Sequence, residues 1–353
     1  MSRFLKKSLQ KIAEYVPGEQ PKDKKYIKLN TNESPFSPAK NVLKVINNKS
    51  LSTLNLYPDP KCENLKNALK DLYEIEAENI FVANGSDDIL NFAFMAYKSK
   101  EGVMFPKISY GFYPVFAKLH GIKFTEIPLK DDFSIDINDY KNQNKMIVIA
   151  NPNAPTGLIL KVSEIEEILK TNKDNIVLID EAYIDFGGES CYKLIKKYDN
   201  LLVVRTFSKS RCLAGGRLGY AIASKEIIKD LEKIKYSTNP YNINRLTLAL
   251  GEETIKYDGY YKNKCQEIIK VREYTAKKLK EMGFFVLPSF ANFIFIKNNS
   301  IKGEKLYLSL KEKGVLVRHF SVKEIEDFCR VTIGTKKQMD IFLKTVKEIL
   351  SGE

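Results

Sequence analysis

Three short apolar runs, each of which ends in polar residues, constrain the fold more than any other feature of this sequence. They are KMIVIANP (145–152), NIVLIDEAY (175–183) and NLLVVRTFS (200–208), and they alternate with amphipathic helical patterns. Continuous apolar runs flanked by helices are typical of parallel strands that are buried on both faces of a sheet. Ligands of such α/β sheets bind beyond the carboxyl ends of the strands, so we expect the functional site where these runs end.

The rest of the chain continues the alternation and then changes character after about residue 240. Further strand patterns lie at 79–85, 102–106, 284–297, 314–320 and 328–334. Helical patterns lie at 87–98, 109–121, 245–282 and 335–351. We therefore predict an α/β protein with an N-terminal arm (1–35), a large domain (36–240) and a smaller α+β domain (241–353).

Composition excludes several classes of function. The net charge of +13 comes from 57 Lys and Arg against 44 Asp and Glu that are interleaved along the chain, which indicates a solvated, lysine-rich surface and no nucleic-acid partner. The five cysteines form no CxxC pair and there are two histidines, so we expect neither disulfides nor a metal site. The apolar runs are too short to span a membrane and no signal-peptide core is visible, which favours a cytoplasmic protein with no membrane partner.

Lys209 follows the last apolar run and is surrounded in sequence by hydroxyl residues, glycines and arginines. A lysine that reacts covalently must lose its proton below its ordinary pKa, which burial or a nearby cation achieves. The sheet edge offers burial, and Arg205, Arg211 and Arg217 offer cations. Asp180 ends the preceding run, where its carboxylate is either a helix cap or salt-bridge partner, or the counter-charge of a cationic cofactor ring.

Two segments are suited to binding a phosphate group. NGSDDIL (84–90) predicts a tight turn and a helix N-terminus, whose amides together with the Ser86 hydroxyl favour an anion. The glycine-rich AGGRLGY (214–220) allows the backbone and Arg217 to approach an anion closely. Both segments also fit ordinary turns and caps. Tyr110, which follows another predicted strand, is suited either to stacking on a planar ring or to the core.

The order and spacing of ANPNAPTG, DEAYIDF and TFSKSRCLAGGRLGY resemble the fold type I aminotransferases that depend on pyridoxal phosphate. Other segments are similar to the histidinol-phosphate aminotransferases within that family: LNTNESPFSP, YPDP, NGSDD, SYGFYPVFAKLHG, VLVRHF and CRVTIGT. The resemblance covers nearly the whole chain. It implies a large domain with a mostly parallel seven-stranded sheet between helices and a smaller α+β domain. It also implies amino-group transfer between L-histidinol phosphate and 2-oxoglutarate in histidine biosynthesis.

The resemblance further implies a role for individual residues toward pyridoxal phosphate. Lys209 would form a Schiff base with the cofactor aldehyde and later carry a proton between substrate and cofactor. Asp180 would pair with the pyridine nitrogen, and Tyr183 and Asn153 would hydrogen-bond the phenolic oxygen of the ring. The remaining cofactor contacts would come from Gly85, Ser86, Asp87, Tyr110, Ser208, Arg217 and, from the neighbouring subunit, Tyr57.

For the substrate, the resemblance implies two anion-binding arginines, Arg318 and Arg330. They must accept the substrate phosphate in one half-reaction and the carboxylates of glutamate in the other, which bidentate arginine can do. Tyr15 would fold over the substrate, with Asn32 and Glu33 near the entrance, where both residues also fit ordinary turn chemistry. The resemblance also places Tyr57 and Asn153 in contact with substrate, and the shared Tyr57 implies a homodimer with shared active sites.

One position departs from the family pattern. The family has asparagine immediately before PTG, whereas this chain has Ala154 there, preceded by Asn153. We expect a small backbone shift to let Asn153 make the contact; otherwise Tyr183 contacts the phenolic oxygen alone. The role of Arg211 stays open between lining the phosphate side and lowering the pKa of Lys209.

Two alternative functions remain open. A related aminotransferase for aromatic amino acids, or a threonine-phosphate decarboxylase of the same fold, shares much of the pattern because each needs an anion clamp. A basic nucleic-acid-binding or regulatory protein on an aminotransferase scaffold would bind no cofactor.

Overall fold

The computed structural model describes residues 2–10, 12–97 and 99–352. Lys98, at the end of the helix predicted at 87–98, lies outside the described residues, as do Met1, Lys11 and Glu353 in the predicted arm and small domain. The strands are β1 Ile27–Lys28, β2 Ile80–Ala83, β3 Val103–Pro106, β4 Phe124–Ile127, β5 Met146–Ala150, β6 Val177–Asp180, β7 Leu201–Thr206, β8 Gly219–Ala223, β9 Phe285–Val286, β10 Phe293–Lys297, β11 Val315–Leu316, β12 Arg318–His319 and β13 Cys329–Thr332. The helices are α1 Lys40–Leu43, α2 Asn48–Leu51, α3 Glu63–Tyr73, α4 Ser86–Ala96, α5 Tyr113–Leu119, α6 Val162–Thr171, α7 Lys225–Thr238, α8 Arg245–Lys256, α9 Asp258–Glu281, α10 Gly303–Glu312 and α11 Lys336–Ser351.

The large sheet has seven strands in the order β2-β8-β7-β6-β5-β3-β4. Neighbouring strands are parallel except at β8, which runs antiparallel to β2 and β7, so the predicted mostly parallel seven-stranded sheet is confirmed. The three apolar runs are its central strands, with Ala150 opposite Asp180 and Asp180 opposite Val204. Their polar ends therefore meet at one edge of the sheet, as expected.

Helices cover both faces of the large sheet because every residue of the central strands is apolar until the strand ends. Ile147 and Ile149 of β5 belong to the cluster that includes residues of α3, α6 and α8, while Val148 and Ala150 belong to the cluster with α4, α5 and α7. Alternate residues of a strand face opposite sides. Each fully buried Ile or Val stabilises the fold by about 1.5–3 kcal/mol, so burial on both faces makes the central strands the most strongly stabilised part of the sheet.

The C-terminal region forms a second, antiparallel sheet in the order β12-β13-β10-β9. Residues of the predicted arm contribute β1, which pairs in parallel with β11 in a separate two-stranded sheet. The predicted helix at 245–282 is two helices, broken at Tyr257, where Asp258 begins α9 and pairs with Arg211 at 2.6 Å. The helix α8 packs into the core of the large sheet, and the predicted domain boundaries remain predictions.

The predicted strand at 284–297 is likewise two strands, β9 and β10, which are separated by a loop that contains Pro288. In the part of the chain that the structure describes, no helix has both the length and the apolar character needed to cross a bilayer.

Candidate active site

A cavity of about 320 Å³ lies at the carboxyl ends of β5, β6 and β7. Its size lies within the range of small-molecule sites, and it opens at the edge of the sheet where α/β proteins bind ligands. Most of the residues predicted to contact a cofactor line it: Ser86, Asp87, Tyr110, Asp180, Tyr183, Ser208, Lys209 and Arg217. Glu33, which was expected near the entrance, lines it as well.

A second cavity of about 560 Å³ adjoins the first. Four of the six residues predicted to bind substrate line it: Tyr15, Asn32, Arg318 and Arg330. Tyr110, Tyr183 and Lys209 line both cavities. The lysine amine therefore lies where a molecule in one cavity would meet a molecule in the other.

Lys209 is half-buried at this junction, with its Nζ 3.4 Å from the carbonyl oxygen of Thr31. Burial and the guanidinium of Arg330 lower the pKa of Lys209 to about 8; Arg217 contributes in the same direction, while Asp87 opposes it. An amine with this pKa is unprotonated in about one molecule in ten at pH 7. The side chain can therefore act as a nucleophile and as a base.

Asp180 is buried at the end of β6 and faces the same cavity. Its Oδ2 accepts a hydrogen bond from the Tyr113 hydroxyl at 3.0 Å, and its Oδ1 accepts one from the Ala182 N–H at 3.1 Å. Burial raises the pKa of Asp180 to about 6, so the carboxylate is mostly ionised at pH 7. Among the described residues no basic side chain forms an ion pair with it, which leaves its charge available to a cationic ligand.

Tyr183 follows Asp180 by three residues, and its hydroxyl is oriented by Asn32. The Nδ2 of Asn32 donates to the Tyr183 Oη at 2.9 Å. Thr332 of β13 fixes Asn32 in turn, donating to its Oδ1 at 3.0 Å and accepting from its N–H at 2.9 Å. Burial raises the pKa of Tyr183, which keeps the phenol protonated. Since its oxygen already accepts a hydrogen bond, its own proton is available to an acceptor in the cavity.

The opposite end of the cavity has the features of an anion site. The helix α4 begins at Ser86, and no side chain of the described residues caps its first turn, so its N–H groups remain available. Arg217 lies beside it, with Nη2 3.0 Å from the Asp87 carboxylate. Ser208 Oγ accepts a hydrogen bond from the Thr206 hydroxyl at 3.0 Å, which leaves the Ser208 proton free to donate.

Two glycines allow this end of the cavity to close tightly. A Cβ at Gly85, where φ is +91°, would lie 2.8 Å from Arg217 Nη2, and a Cβ at Gly219 would lie 2.6 Å from the backbone of Gly85 and Ser86. Side chains at either position would therefore push the arginine or the turn away from the cavity.

Arg330 and Arg318 lie in the second cavity and differ in their environment. The Arg330 guanidinium lies 5.3 Å and 5.7 Å from the ring centres of Phe293 and Phe320, and its Nη2 donates to the Asn30 carbonyl at 3.0 Å. Its buried Nε has no hydrogen-bond partner among the described residues. A buried, unpaired donor on a cation is suited to an incoming anion.

Arg318 contacts the N-terminal arm. Its Nη2 donates to the carbonyl of Val16 at 3.1 Å and its Nη1 to that of Pro17 at 3.3 Å. Tyr15, the preceding residue, stacks on Phe112 with 4.1 Å between the ring centres. The arm thus lies along one wall of the second cavity.

The structure does not bring Asn153 into the first cavity. Its Nδ2 donates to the Ile108 carbonyl and to Thr156 Oγ1, at 2.9 and 3.1 Å, and its Oδ1 accepts from Ser109 at 2.8 Å. A contact with a ligand would require this buried amide to leave these partners. Ala154 takes its place in the cavity wall; this placement favours the alternative in which Tyr183 contacts the phenolic oxygen alone, and both roles stay predictions.

Tyr57 does not line either cavity of its own chain. Its side chain is 76% exposed and stacks on Tyr241 with 4.4 Å between ring centres. Its predicted contact with a neighbouring subunit stays a prediction.

Arg205 and Arg211 lie behind the site and not in it. Arg205 pairs with Glu181 at 3.1 Å and with Asp185 at 2.5 Å, and Arg211 pairs with Asp258 at 2.6 Å. Asp185 also accepts a hydrogen bond of 2.5 Å from Ser210, which fixes the loop next to Lys209. These two arginines therefore stabilise the loops that surround the site. Beyond the effect of burial, the lowering of the Lys209 pKa that was expected of them comes instead mainly from Arg330, a residue distant in sequence.

Sequence reasoning missed Tyr113 and Thr206, which hold Asp180 and Ser208. A signal for Tyr113 was present: it follows Tyr110 by three residues within the helix predicted at 109–121, although α5 begins only at Tyr113. Within the described ranges, no cluster of His, Cys, Asp or Glu side chains is suited to hold a metal ion.

The chain is similar to known proteins over most of its length. The family model described as aminotransferase class I and II matches residues 24–346. The chain is 54% identical to the histidinol-phosphate aminotransferase of Brachyspira hyodysenteriae, over 100% of both chains.

Solved structures share the fold. The histidinol-phosphate aminotransferase from Clostridium acetobutylicum matches with a TM-score of 0.84 at 26% identity, over 92% of this chain and 99% of that one. The histidinol-phosphate aminotransferase from Sinorhizobium meliloti, solved in complex with pyridoxal-5'-phosphate, matches with a TM-score of 0.86 at 19% identity, over 99% of each chain. The predicted fold class is therefore confirmed.

Proposed function

The chain belongs to the aminotransferase class I and II family, and from this premise we propose that it transfers an amino group between L-histidinol phosphate and 2-oxoglutarate, a step of histidine biosynthesis. The observation that carries the proposal is the position of Lys209 between two cavities. One cavity combines a buried carboxylate with an anion site, and the other contains two arginines.

The first cavity fits pyridoxal phosphate. When bound, this cofactor supplies an aldehyde that a lysine amine can hold and a ring that accepts electrons. The unpaired charge of Asp180 suits the ring nitrogen of the cofactor. The uncapped N-terminus of α4 suits the phosphate, and Gly85 and Gly219 allow the protein to close tightly around it. Ser86, Ser208 and Arg217 would hold the phosphate, Tyr183 the phenolic oxygen, and Tyr110 the face of the ring.

Lys209 carries the proton chemistry of the chain. With a pKa of about 8 its amine is partly unprotonated at neutral pH, so it could hold the cofactor aldehyde and, once the substrate amine has displaced it, accept the proton of the substrate α-carbon. The same amine lines the substrate cavity, which allows it to return the proton to a neighbouring atom without a second base.

The second cavity favours a substrate with a distant anion. The unpaired Nε of Arg330 and the guanidinium of Arg318 present two cationic groups that can accept a phosphate or a carboxylate. Tyr15, Tyr110 and Phe320 give this cavity an aromatic lining that suits the imidazole ring of histidinol phosphate.

We further propose that the protein acts as a homodimer in which Tyr57 contacts the phosphate of the partner's cofactor. The exposure of Tyr57 and of the nearby Leu54 and Leu56 supports such an interface, since large apolar side chains are normally covered. The cytoplasmic location expected from the sequence stays a prediction.

A comparison of amino donors tests the proposal. The purified protein with pyridoxal phosphate is assayed with 2-oxoglutarate and either histidinol phosphate or phenylalanine, and carbon dioxide release is measured with threonine phosphate. We expect the highest kcat/KM with histidinol phosphate, and Lys209→Ala should lose both activity and the visible absorption band. A higher kcat/KM with phenylalanine, or decarboxylation of threonine phosphate, would contradict the substrate assignment.

A further inference from the structure

Asp180 faces the cavity on one side and Tyr113 on the other. The Tyr113 hydroxyl donates to Asp180 Oδ2 at 3.0 Å, while Oδ1 accepts from the Ala182 N–H at 3.1 Å. Tyr113 is fully buried and does not line the cavity. Its hydroxyl can therefore affect a bound molecule only through Asp180.

The position of the Tyr113 hydroxyl is fixed by packing. Tyr113 begins α5, and its ring packs edge-on against Tyr110, with 5.7 Å between ring centres, and lies 5.7 Å from the Phe105 ring of β3. Tyr110 in turn donates to Asp87 Oδ1 at 2.7 Å. Tyr110 and Tyr113 thus each donate a hydrogen bond to a different carboxylate that lines the cavity.

The two carboxylates differ in what else stabilises their charge. Asp87 has Arg217 at 3.0 Å, whereas Asp180 has no ion-pair partner in the described part of the chain. The titratable groups that face Asp180 are the carboxylates of Asp87 on α4 and Glu181 on the same segment, together with the phenols of Tyr113 and Tyr183. Burial and both carboxylates disfavour the ionised form, and the Tyr113 hydrogen bond opposes them.

We propose that Tyr113 is a positioning residue of the aminotransferase: its hydroxyl keeps Asp180 ionised and oriented toward the ring nitrogen of the cofactor. The inference rests on the proposed function, because it requires pyridoxal phosphate as the occupant of the cavity. Without the hydrogen bond Asp180 takes up a proton at higher pH, and a neutral carboxyl stabilises a cationic ring nitrogen less well. If Tyr113 only filled space, its replacement by phenylalanine would not change the protonation of Asp180.

The test is a binding titration of cofactor-free Tyr113→Phe with two compounds, pyridoxal phosphate and 1-deazapyridoxal phosphate, in which carbon replaces the ring nitrogen. Loss of a hydrogen bond to a charged group moves the protonation of Asp180 by about one to two pH units. At pH 7 we therefore expect Tyr113→Phe to bind pyridoxal phosphate about two- to tenfold more weakly than the unmodified protein. The affinity for the deaza compound should be unchanged or higher, and the deficit should shrink at pH 8.5.

Tyr140→Phe is the matched control, because it removes a buried tyrosine hydroxyl that has no hydrogen-bond partner among the described residues. It should change neither affinity. Tyr113→His, which supplies a donor again, should recover part of the affinity for pyridoxal phosphate, and it serves as the test protein if Tyr113→Phe does not fold.

Equal losses for the two compounds, or no loss for either, would overturn the positioning role of Tyr113. Failure of the proposed function has a different signature: the unmodified protein would then show no Lys209-dependent visible band with pyridoxal phosphate.

Discussion

Removing the charge of Asp180 should make the cofactor-free protein more stable, although it removes a catalytic group. Burial raises the pKa of this carboxyl from 3.8 to about 6, so the ionised carboxylate destabilises the fold by about 3 kcal/mol at pH 8. Asp180→Asn removes this penalty but loses one of the two accepted hydrogen bonds, from Tyr113 or Ala182, at about 1 kcal/mol. The expected net gain is about 2 kcal/mol.

The size of the gain in stability depends on pH. Because the folded pKa lies above the unfolded one, the penalty is complete above pH 6 and disappears as the pH falls toward 3.8. Urea denaturation of both cofactor-free proteins, at one protein concentration, should therefore show the gain in unfolding free energy at pH 8 and almost none at pH 4.5.

Asp185→Asn is the control with the opposite sign. Burial acts to raise the pKa of Asp185, but the charges of Arg205 and Arg211 and the hydrogen bonds from Ser210 and Arg205 together outweigh it, and the pKa is lowered. This variant should lose about 1.5–3 kcal/mol at pH 8, the contribution of a hydrogen bond to a charged group. The reasoning would be refuted if the Asp180→Asn protein were no more stable than the unmodified protein at pH 8. It would also be refuted if the gain in unfolding free energy were the same at pH 8 and pH 4.5.

Three further outcomes follow from the site. The rate of cofactor uptake by the cofactor-free protein, followed by stopped-flow absorbance, should rise about tenfold per pH unit up to pH 8 and then level off, because only unprotonated Lys209 reacts; a flat profile from pH 6 to 9 would contradict this. Arg330→Gln should raise the KM for histidinol phosphate about 10- to 100-fold, since about 1.5–3 kcal/mol of charged hydrogen bonding is lost, and an unchanged KM would remove Arg330 from the substrate site. Gly219→Ala should lower the unfolding free energy by about 1–3 kcal/mol, because the added Cβ would lie 2.6 Å from backbone atoms. Gly259→Ala is the control and should not lower it, because a Cβ at that position meets nothing within 4 Å.

The central part of the fold could be predicted because its signal is local. The strands β5 and β6 are apolar at every position until Asp180 ends β6, and that pattern fits parallel strands covered on both sides. The polar residues that follow, Asp180 and Lys209 among them, meet because parallel strands bring their carboxyl ends to one edge. The break at Tyr257 between α8 and α9 was missed, since no Gly or Pro stands at that position and a tertiary contact of Asp258 accompanies it.

Side-chain orientation and charge effects were less predictable because they depend on contacts that are distant in sequence. Asn153 stands at the expected strand end, yet Ile108, Ser109 and Thr156 occupy its hydrogen-bonding groups. The cation with the largest effect on the pKa of Lys209 is Arg330, more than a hundred residues away, and not the nearby arginines of the same segment. Neither the hydrogen bonds of Asn153 nor the effect of Arg330 on Lys209 can be inferred from the spacing of residues along the sequence.

The proximity of Arg330 to Lys209 links substrate binding to proton uptake. The arginine charge lowers the pKa of the amine as long as it is uncompensated. An anion that neutralises Arg330 removes part of this effect, so the free lysine becomes a stronger base once the far end of the substrate cavity is filled. By reciprocity, the substrate anion should bind more tightly when Lys209 carries a proton. Arg330 thus both recognises the substrate and sets the basicity of Lys209, the residue that acts on that substrate.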